Sequence, residues 1–538
     1  MQQKNYDTLG VMIDMSRNGV MGVPQVKEYL GYLQKMGYNC AMLYTEDTYE
    51  VEGEPHFGYM RGGYSYAELR ELDSYAASLG IELIPCIQTL AHLQGFVHWK
   101  KVPVDRDDIL LVGDEETYLF IEKMLKSVRG CFQSNRIHIG MDEAWALGRG
   151  KFMDKNGYVP PAEIMKKHLA RVCETVRKYG FEPMVWSDMF FYSIPPTHQY
   201  YHPKMQVPSE VASAVPEDLT LVYWDYYQTK EEPYDAMLYN HEQITKKLWF
   251  AGTAWSGHGF LPLNRYSETT FRPALRACRR HGVRDLLITT WGDDGMECPR
   301  YALLPSLYRF AEYARGNEDE ASISRGFEKL FGATLEDFLS LDDLNEIMTG
   351  LNARTSAAPK IALYNDPFNG LLDCRVDSAQ KERIAAAARK WRECAKKYRK
   401  WHYLFDSAAK LADVLAVKYD LGLRTREAYR AGDKEALRAL ACNEYASLLP
   451  LLRRFARAFE KQWYRENRPT GFDVQEIRLG GLLYRIDSCR RRLLDYANGK
   501  IEQIPELATE LLDRDIPDGA HRTWGMIVTP NRLTHKIH

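Results

Sequence analysis

Short apolar runs that end in polar residues alternate with longer segments of helical spacing over the first part of the chain. The apolar runs are GVMIDMSR, NCAMLYTED, IELIPCIQ, RIHIGMDE, FEPMVWSDM, LTLVYWDYY, LWFAGTAWS and RDLLITTWGDD. Between them, segments such as VPQVKEYLGYLQKMG and YAELRELDSYAASLG place apolar residues three and four positions apart and end in Gly, which commonly stops a helix. Strands that alternate with helices form parallel βαβ units. Eight such units predict a (β/α)8 TIM barrel, an α/β fold.

The pattern changes near residue 317, where the strand signals stop. Stretches such as SAQKERIAAAARKWRECAKKYRKW and KEALRALACNEYASLLPLLRRFARAFEKQW consist of helix formers with apolar residues at helical spacing. A chain of 538 residues is also too long for a single hydrophobic core. We therefore predict two domains, a catalytic barrel over residues 1–316 and an α-helical C-terminal domain over residues 317–538.

The composition mainly excludes classes of function. Hydrophobic residues make up 45% and charged residues 27%, which is typical of soluble globular proteins. The net charge of −2 gives no general attraction to nucleic acid or an anionic membrane, and no apolar run is long enough to span a bilayer. The segment MQQKNYDTLGVMIDMSRNG lacks a basic region followed by an apolar core, so we expect no signal peptide and a cytoplasmic location.

Every predicted strand ends in, or is soon followed by, residues that carry functional groups. In a TIM barrel the carboxyl ends of the strands form one rim, and active sites lie at that rim. We therefore expect these side chains to share one site. In chain order they are Asp14 and Arg17, Glu46 and Asp47, His92, His138 with Asp142 and Glu143, Trp186 and Asp188, Tyr223 with Trp224 and Asp225, Trp255, and Trp291 with Asp293 and Asp294.

Tryptophans stand at the ends of four consecutive predicted strands. Aromatic faces pack on the C–H surfaces of sugars and carboxylates accept hydroxyl protons, so the combination indicates a carbohydrate ligand. The alternative is that these tryptophans only cap the layers of side chains inside the barrel. A metal site is another alternative for the acids and histidines. No HxH or HExxH spacing occurs, however, and we predict neither a metal nor another cofactor.

Asp142 and Glu143 are neighbours at one strand end. Glycosidases usually use two carboxyl groups that approach the sugar from different sides, about 5 Å apart in retaining enzymes and about 6.5–9.5 Å apart in inverting ones. Adjacent residues cannot easily flank a sugar in this way. The interpretation that uses both acids has Glu143 protonate the leaving oxygen while Asp142 holds another part of the substrate.

The segment HIGMDE resembles the H-x-G-x-D-E signature of the family 20 β-N-acetylhexosaminidases. Further segments resemble the family in the same order, namely MIDMSRNG, LYTEDTYE, TLAHLQG, LLVGDEETYLFIEKML, MVWSDM, YWD and WGD. The likeness covers about residues 8 to 315. The helical C-terminal region is more similar to the branch with hexosaminidase D and bacterial exo-enzymes, without an N-terminal α+β domain. Two positions depart from the family: Met141 replaces a usual glycine, and Asp293 replaces a glutamate.

The resemblance implies an exo-acting β-N-acetylhexosaminidase that removes terminal β-linked GlcNAc or GalNAc from glycans. The substrate's own 2-acetamido oxygen would be the nucleophile and form an oxazoline, with Glu143 as acid/base. Asp142 would hold the acetamide N–H and Tyr223 the acetamide oxygen. His92 is expected to act with Asp47. The expected sugar-binding residues are Arg17, Asp47 (or Glu46), His92, Trp186, Trp224, Asp225, Trp255, Trp291 and Asp293.

Other functions stay open at this stage. A conventional retaining β-glycosidase would use Glu143 as acid and Asp225 or Asp293 as nucleophile, whereas a catalytically silent carbohydrate-binding barrel would bind without turnover. A metal-dependent barrel hydrolase is a third alternative. The expected partners are glycans or glycoconjugates with terminal N-acetylhexosamine, with a homodimer as an option and with neither nucleic acid nor membrane. The natural glycan and the role of the helical domain stay undecided.

Overall fold

The structure is a computed structural model of the 538-residue chain, and it describes residues 6–192, 194, 201–213, 215–256, 258–350, 357–511 and 529. The chain divides into two compact units. The first comprises Met1–Ala254, Ser267–Thr290 and Ser306–Ile323, and the second comprises Trp255–Tyr266, Trp291–Pro305 and Ser324–His538. The second unit thus includes two short segments that follow strands of the first. The domain boundary between residues 316 and 317 stays a prediction.

The first unit contains a closed barrel of eight parallel strands, which confirms the predicted fold class. Among the described residues, two further strands lie outside the barrel. In chain order the ten are β1 (Thr8–Asp14), β2 (Cys40–Tyr44), β3 (Glu82–Cys86), β4 (Val104–Arg106), β5 (Ile109–Leu110), β6 (Arg136–His138), β7 (Glu182–Trp186), β8 (Thr220–Trp224), β9 (Leu248–Thr253) and β10 (Asp285–Thr290). Around the barrel the order is β1-β10-β9-β8-β7-β6-β3-β2. Strands β4 and β5 form a separate antiparallel ribbon.

The barrel closes because its last strand pairs with its first. In the β1–β10 register Thr8 lies opposite Asp285, and Ile13 lies opposite Thr290. All seven residues of β1 and all five of β2 are buried. Strands of a parallel barrel are covered on both faces, which explains why their sequences are nearly continuous apolar runs rather than alternating ones.

Helices connect the barrel strands, and their ends follow local sequence signals. The helix Tyr66–Ser78 begins with a capping box, in which Ser65 accepts the N–H of Glu68 and Glu68 accepts the N–H of Ser65. The helix Val23–Met36 ends at Gly37, whose φ of +91° suits a residue without a Cβ atom. The helices up to residue 314 are Val23–Met36, Tyr66–Ser78, Gln94–Val97, Glu115–Arg129, Lys151–Asn156, Pro161–Lys178, Asp188–Tyr192, Ser209–Ala212, Glu231–Glu242, Asn264–Arg280, the 3-10 turn Arg300–Leu303, and Leu304–Ala314.

The β4–β5 ribbon was not predicted, and it organises the segment that follows β6. Asp105 on β4 is buried and accepts three backbone N–H groups, from Gly148 at 2.8 Å, Gly150 at 3.2 Å and Phe152 at 2.8 Å. One carboxylate therefore holds the loop that leads away from the Asp142–Glu143 pair. A three-residue strand and a two-residue strand are too short to stand out as apolar runs, which is why the sequence did not reveal them.

The second unit is built from helices, as the sequence pattern predicts. Three of its tryptophans are buried with their indole N–H groups hydrogen-bonded: Trp391 donates to Ser340, Trp401 to Phe331 and Trp463 to Arg468. No helix in the described part of the chain is long and apolar enough to cross a membrane. The remaining helical segments are Glu320–Phe331, Leu335–Leu339, Ser340–Asp342, Ala358–Tyr364, Asp373–Arg375, Ser378–Gln380, Lys381–Lys397, Arg399–Trp401, His402–Lys418, Leu421–Arg430, Lys434–Leu440, the π-helical Ala441–Tyr445, Ala446–Glu466, Phe472–Ala497 and Pro505–Ala508.

Candidate active site

The Asp142–Glu143 pair lies just after β6, on a main chain that turns sharply at the barrel rim. Gly140, Met141 and Glu143 all have positive φ, at +72°, +68° and +51°. Such values are uncommon for residues with a Cβ atom, and they explain why the family signature usually has a second glycine where Met141 stands. The side chain of Met141 is fully buried, and its N–H donates to Oε1 of Gln88 at 3.2 Å. The methionine therefore adopts a backbone conformation that glycine adopts more easily.

Asp142 is held by two side chains from the segment after β3. Nε2 of Gln88 donates to its Oδ1 at 2.8 Å, and Nε2 of His92 lies 3.2 Å from its Oδ2. Burial alone would raise the pKa of Asp142, but the charge of His92 and the hydrogen bond from Gln88 outweigh burial and lower it. Asp142 is therefore ionised at neutral pH although only 8% of its surface is exposed.

His92 is the cation of this pair. Burial opposes its charged form, yet the neighbouring carboxylate of Asp142 raises the pKa of His92 to about 10. Its Nε2 also lies 3.7 Å from Oε2 of Glu143, whose side chain is 37% exposed. His92 thus contacts both acids of the pair, and Glu143 is the one that solvent or a substrate can reach.

Two acids that follow β2 form separate ion pairs. Glu46 lies 2.7 Å from Nη1 of Arg17, while Asp47 lies 3.1 Å from Nη2 of Arg61. The sequence favoured Asp47 over Glu46 and expected Asp47 to act with His92. In the structure Asp47 pairs with Arg61 instead, and Glu46 is the acid next to the predicted sugar-binding arginine. Burial raises the pKa of both acids.

Asp188 lies two residues after β7 and belongs to the site, although it was not among the expected sugar-binding and catalytic residues. It is fully buried, and it accepts the backbone N–H of Glu143 at 2.9 Å and the indole N–H of Trp224 at 3.2 Å. Burial first, and then the charge of Asp142, raise the pKa of Asp188 to about 8. The segment MVWSDM shows an acid at a strand end, but no pattern in the sequence shows which groups it contacts.

The residues at the end of β8 contact one another. The hydroxyl of Tyr223 donates to Oδ2 of Asp225 at 3.0 Å, and the backbone N–H of Tyr227 donates to Oδ1 at 3.0 Å. Burial raises the pKa of Asp225 to about 6. Tyr223 is fully buried and would have to redirect its proton from Asp225 to hold an acetamide oxygen. Trp186, from β7, is also buried.

Three of the expected sugar-binding residues belong to the second unit, namely Trp255, Trp291 and Asp293. Within that unit Ser256 donates to the carbonyl oxygen of Trp291 at 2.6 Å. The carboxylate of Asp293 is 39% exposed and lies 4.0 Å from Nε2 of His258. Along the chain these residues follow β9 and β10 as predicted, and their part in sugar binding stays a prediction.

The arrangement at the β6 end supports acid–base chemistry. It joins a buried ionised carboxylate, a partly exposed carboxyl group beside it and a histidine cation that contacts both. Over the described residues, no three His, Cys, Asp or Glu side chains are grouped as a metal ion would need. Donating a proton to a leaving oxygen and stabilising a nearby positive charge are the two tasks that this geometry suits.

Comparison with known families gives two matches along the chain. Residues 9–244 match the model described as "Glycosyl hydrolase family 20, catalytic domain". Residues 336–525 match the model described as "Glycoside Hydrolase 20C C-terminal domain". The first match includes Arg17, His92, Asp142, Glu143 and the other predicted site residues of the barrel up to β8.

Similar individual proteins carry related names. Human "Hexosaminidase D" is 25% identical over 233 residues, which cover 38% of this chain and 43% of the human protein. "Beta-hexosaminidase" from Vibrio furnissii is 27% identical over 164 residues, covering 27% of this chain and 26% of that protein. The chain thus matches less than half the length of either relative. Among solved structures, a "GH20 Exo beta-N-Acetylglucosaminidase from Vibrio harveyi" aligns with a TM-score of 0.48 at 16% identity, covering 63% of this chain and 59% of that one.

Proposed function

The chain belongs to glycoside hydrolase family 20, and from this premise we propose that it is an exo-acting β-N-acetylhexosaminidase. Its substrates would be glycans or glycoconjugates that end in β-linked GlcNAc or GalNAc, hydrolysed with retention of configuration. A cytoplasmic location and an optional homodimer remain parts of the same proposal. The observation that carries it is the Asp142–Glu143 pair, in which one acid is buried and ionised and the other is partly exposed.

In the proposed first step the acetamido oxygen of the substrate attacks C1 of the same sugar. The C1–O bond to the leaving group breaks, and Glu143 donates its proton to the departing oxygen. The product in the site is an oxazolinium ion, whose nitrogen keeps its proton and carries positive charge beside the carboxylate of Asp142. Well-oriented intramolecular nucleophiles reach effective molarities of about 10⁵–10⁸ M, so holding the acetamide in place contributes a large part of the rate.

In the second step water attacks C1 from the face that the leaving group vacated. Glu143, now a carboxylate, takes the proton of that water, and the oxazolinium ring opens back to the neutral acetamide. Because C1 is attacked twice, the sugar keeps its β configuration. Gln88 and His92 keep Asp142 in position and ionised throughout, which supports its task of balancing the nitrogen charge.

The proposal also assigns tasks to the neighbouring side chains. Arg17, paired with Glu46, and Asp47 would bind sugar hydroxyls, and Trp186 and Trp224 would line the sugar ring and the acetamide methyl group. Tyr223 would turn its hydroxyl proton from Asp225 toward the acetamide oxygen. Trp255, Trp291 and Asp293 keep their predicted part in sugar binding. Asp293 has one methylene fewer than the glutamate of the family, which leaves the choice between GlcNAc and GalNAc open.

The test compares an aryl N-acetyl-β-glucosaminide with the plain aryl β-glucoside. The proposal expects hydrolysis of the first and little or none of the second, because the plain glucoside lacks the acetamido nucleophile. Equal cleavage of both would favour a two-carboxylate enzyme with Asp225 or Asp293 as nucleophile, and a sugar trapped covalently on a side chain would establish that mechanism. No turnover of any N-acetylhexosaminide, with binding retained, would favour the silent carbohydrate-binding barrel. Loss of activity with a chelator would indicate the metal-dependent hydrolase.

A further inference from the structure

We infer that Asp188 is a positioning residue for proton donation, whose carboxyl group fixes the main chain of Glu143 and the indole of Trp224. This inference rests on the proposed function, since it concerns the same site. Asp188 acts through Glu143 rather than on the substrate. It comes from β7, and its two partners come from β6 and β8.

The barrel order explains how one side chain reaches both partners. Strand β7 pairs with β6 on one side and with β8 on the other. Asp188 is the first residue of the helix Asp188–Tyr192, two positions after β7 ends at Trp186. Its Oδ2 accepts the N–H of Glu143 at 2.9 Å, and its Oδ1 accepts Nε1–H of Trp224 at 3.2 Å. One carboxyl oxygen therefore holds Glu143 in the segment after β6, and the other holds Trp224, the last residue of β8.

Glu143 needs such a contact because its backbone is in the left-handed region, with φ of +51°. This conformation is uncommon for a residue with a side chain, and it persists where surrounding contacts enforce it. The N–H of Glu143 is held by Asp188, and its carbonyl oxygen accepts the N–H of Trp145 at 2.8 Å. The direction of the Glu143 side chain follows from this backbone. Releasing the N–H would therefore misplace the carboxyl group that donates the proton.

The surroundings of Asp188 also limit its charge. It is fully buried beside Asp142 and Glu143, and burial together with the charge of Asp142 raises its pKa to about 8. A protonated Asp188 still has a carbonyl oxygen that accepts an N–H group, while it adds no further negative charge beside the two acids. The site can thus gain the positioning contact without a third carboxylate close to the proton donor.

The experiment measures how the loss of activity depends on the leaving group. In Asp188→Asn and Asp188→Ala, kcat/KM on a disaccharide or alkyl N-acetyl-β-hexosaminide should fall by about 10–100-fold, which is part of the roughly 10²–10⁴-fold that general acid catalysis contributes. On the 2,4-dinitrophenyl glycoside the fall should be about threefold or less, because that leaving group departs without a proton. Asn keeps one carbonyl acceptor, so it should lose less than Ala. An equal loss on both kinds of substrate, or no loss on either, would overturn the inference.

The matched control is Asp73→Asn. Asp73 is a buried carboxylate that likewise accepts a backbone N–H and a side-chain N–H, both from Gln133, which precedes β6 at the amino end of the barrel. This variant tests what the removal of a buried carboxylate costs in general. Any loss of kcat/KM should be the same for the alkyl and the 2,4-dinitrophenyl glycosides. A dependence as large as that of the Asp188 variants would mean that the effect is a general consequence of destabilisation.

Hydrogen exchange gives a second measurement that does not need activity. Peptides that contain Glu143 should exchange faster in Asp188→Ala than in the wild type, and unchanged exchange would overturn the contact on which the inference depends. Wild-type protein that turns over no N-acetylhexosaminide would refute the proposed function instead. The exchange result would still decide whether Asp188 holds Glu143, so the two failures are distinguishable.

Discussion

A buried cation in the helical unit provides the sharpest test of what holds that unit together. The side chain of Lys360 is fully buried, and its Nζ donates to Oδ2 of Asp294 at 2.6 Å and lies 2.7 Å from Oε2 of Glu297. Arg478 is the second cation, 2.8 Å from Glu297 and 3.4 Å from Asp294. Two carboxylates and two cations therefore share one buried cluster, and Lys360→Met leaves both carboxylates to Arg478 alone.

The expected cost follows from burial. Removing one partner from a buried ion pair destabilises by about 3–5 kcal/mol, because the remaining charge is left without its compensation. For a domain of this size that corresponds to a fall of roughly 6–20 °C in the melting temperature of the unit, at about 2–4 °C per kcal/mol. Differential scanning calorimetry, in which the two units can unfold as separate transitions, is the measurement.

A surface lysine in the same unit is the control. Lys396 lies 2.8 Å from Glu393, and both side chains are 72% exposed. Lys396→Met removes the same charge and should cost about 0–1 kcal/mol, as exposed ion pairs do. Adding Asp294→Asn to Lys360→Met should recover much of the loss, because Glu297 and Arg478, 2.8 Å apart, then remain as one carboxylate and one cation. Equal shifts for the two lysine variants, or no recovery in the double variant, would contradict this account of the cluster.

The other predictions concern the site. Glu143→Gln should lower turnover of an unactivated N-acetylhexosaminide by about 10²–10⁴-fold, and near-normal turnover would exclude Glu143 as the acid. Asp142→Asn should lower kcat more than it raises KM, since the charge that Asp142 balances develops mainly in the transition state; steady-state kinetics would contradict this if KM alone rose. A thiazoline mimic of the oxazoline should inhibit strongly, and weak inhibition measured against the product sugar would contradict the mechanism. The pKa of His92 is raised to about 10, so its stabilising contribution is complete below the unfolded value near 6.5 and is lost as pH rises toward 10. Urea unfolding between pH 6.5 and 9 should therefore show a steeper loss of stability in the wild type than in His92→Gln, and parallel slopes would show that His92 is not the charged partner.

Local sequence patterns predicted the barrel strands, most of the helices and the polar residues at the ends of the barrel strands. Apolar runs predicted eight barrel strands because both faces of each strand are covered, and helical spacing predicted the connections and the C-terminal helices. HIGMDE shows the adjacent acids, and His92, which contacts both, was among the expected site residues. These features are local in the chain, so periodicity and short motifs are enough to reveal them.

Which side chains contact one another depends on the order of the strands around the barrel. Gln88 and Asp188 lie 54 and 45 residues from the pair that they hold, and they reach it because β3 and β7 flank β6 in the barrel. The adjacent acids Glu46 and Asp47 pair with different arginines, Arg17 and Arg61, and the main chain at Glu46 has a positive φ of +46°. Lateral strand order and backbone torsion bring together groups that are distant along the chain, and no local pattern of residues records either of them.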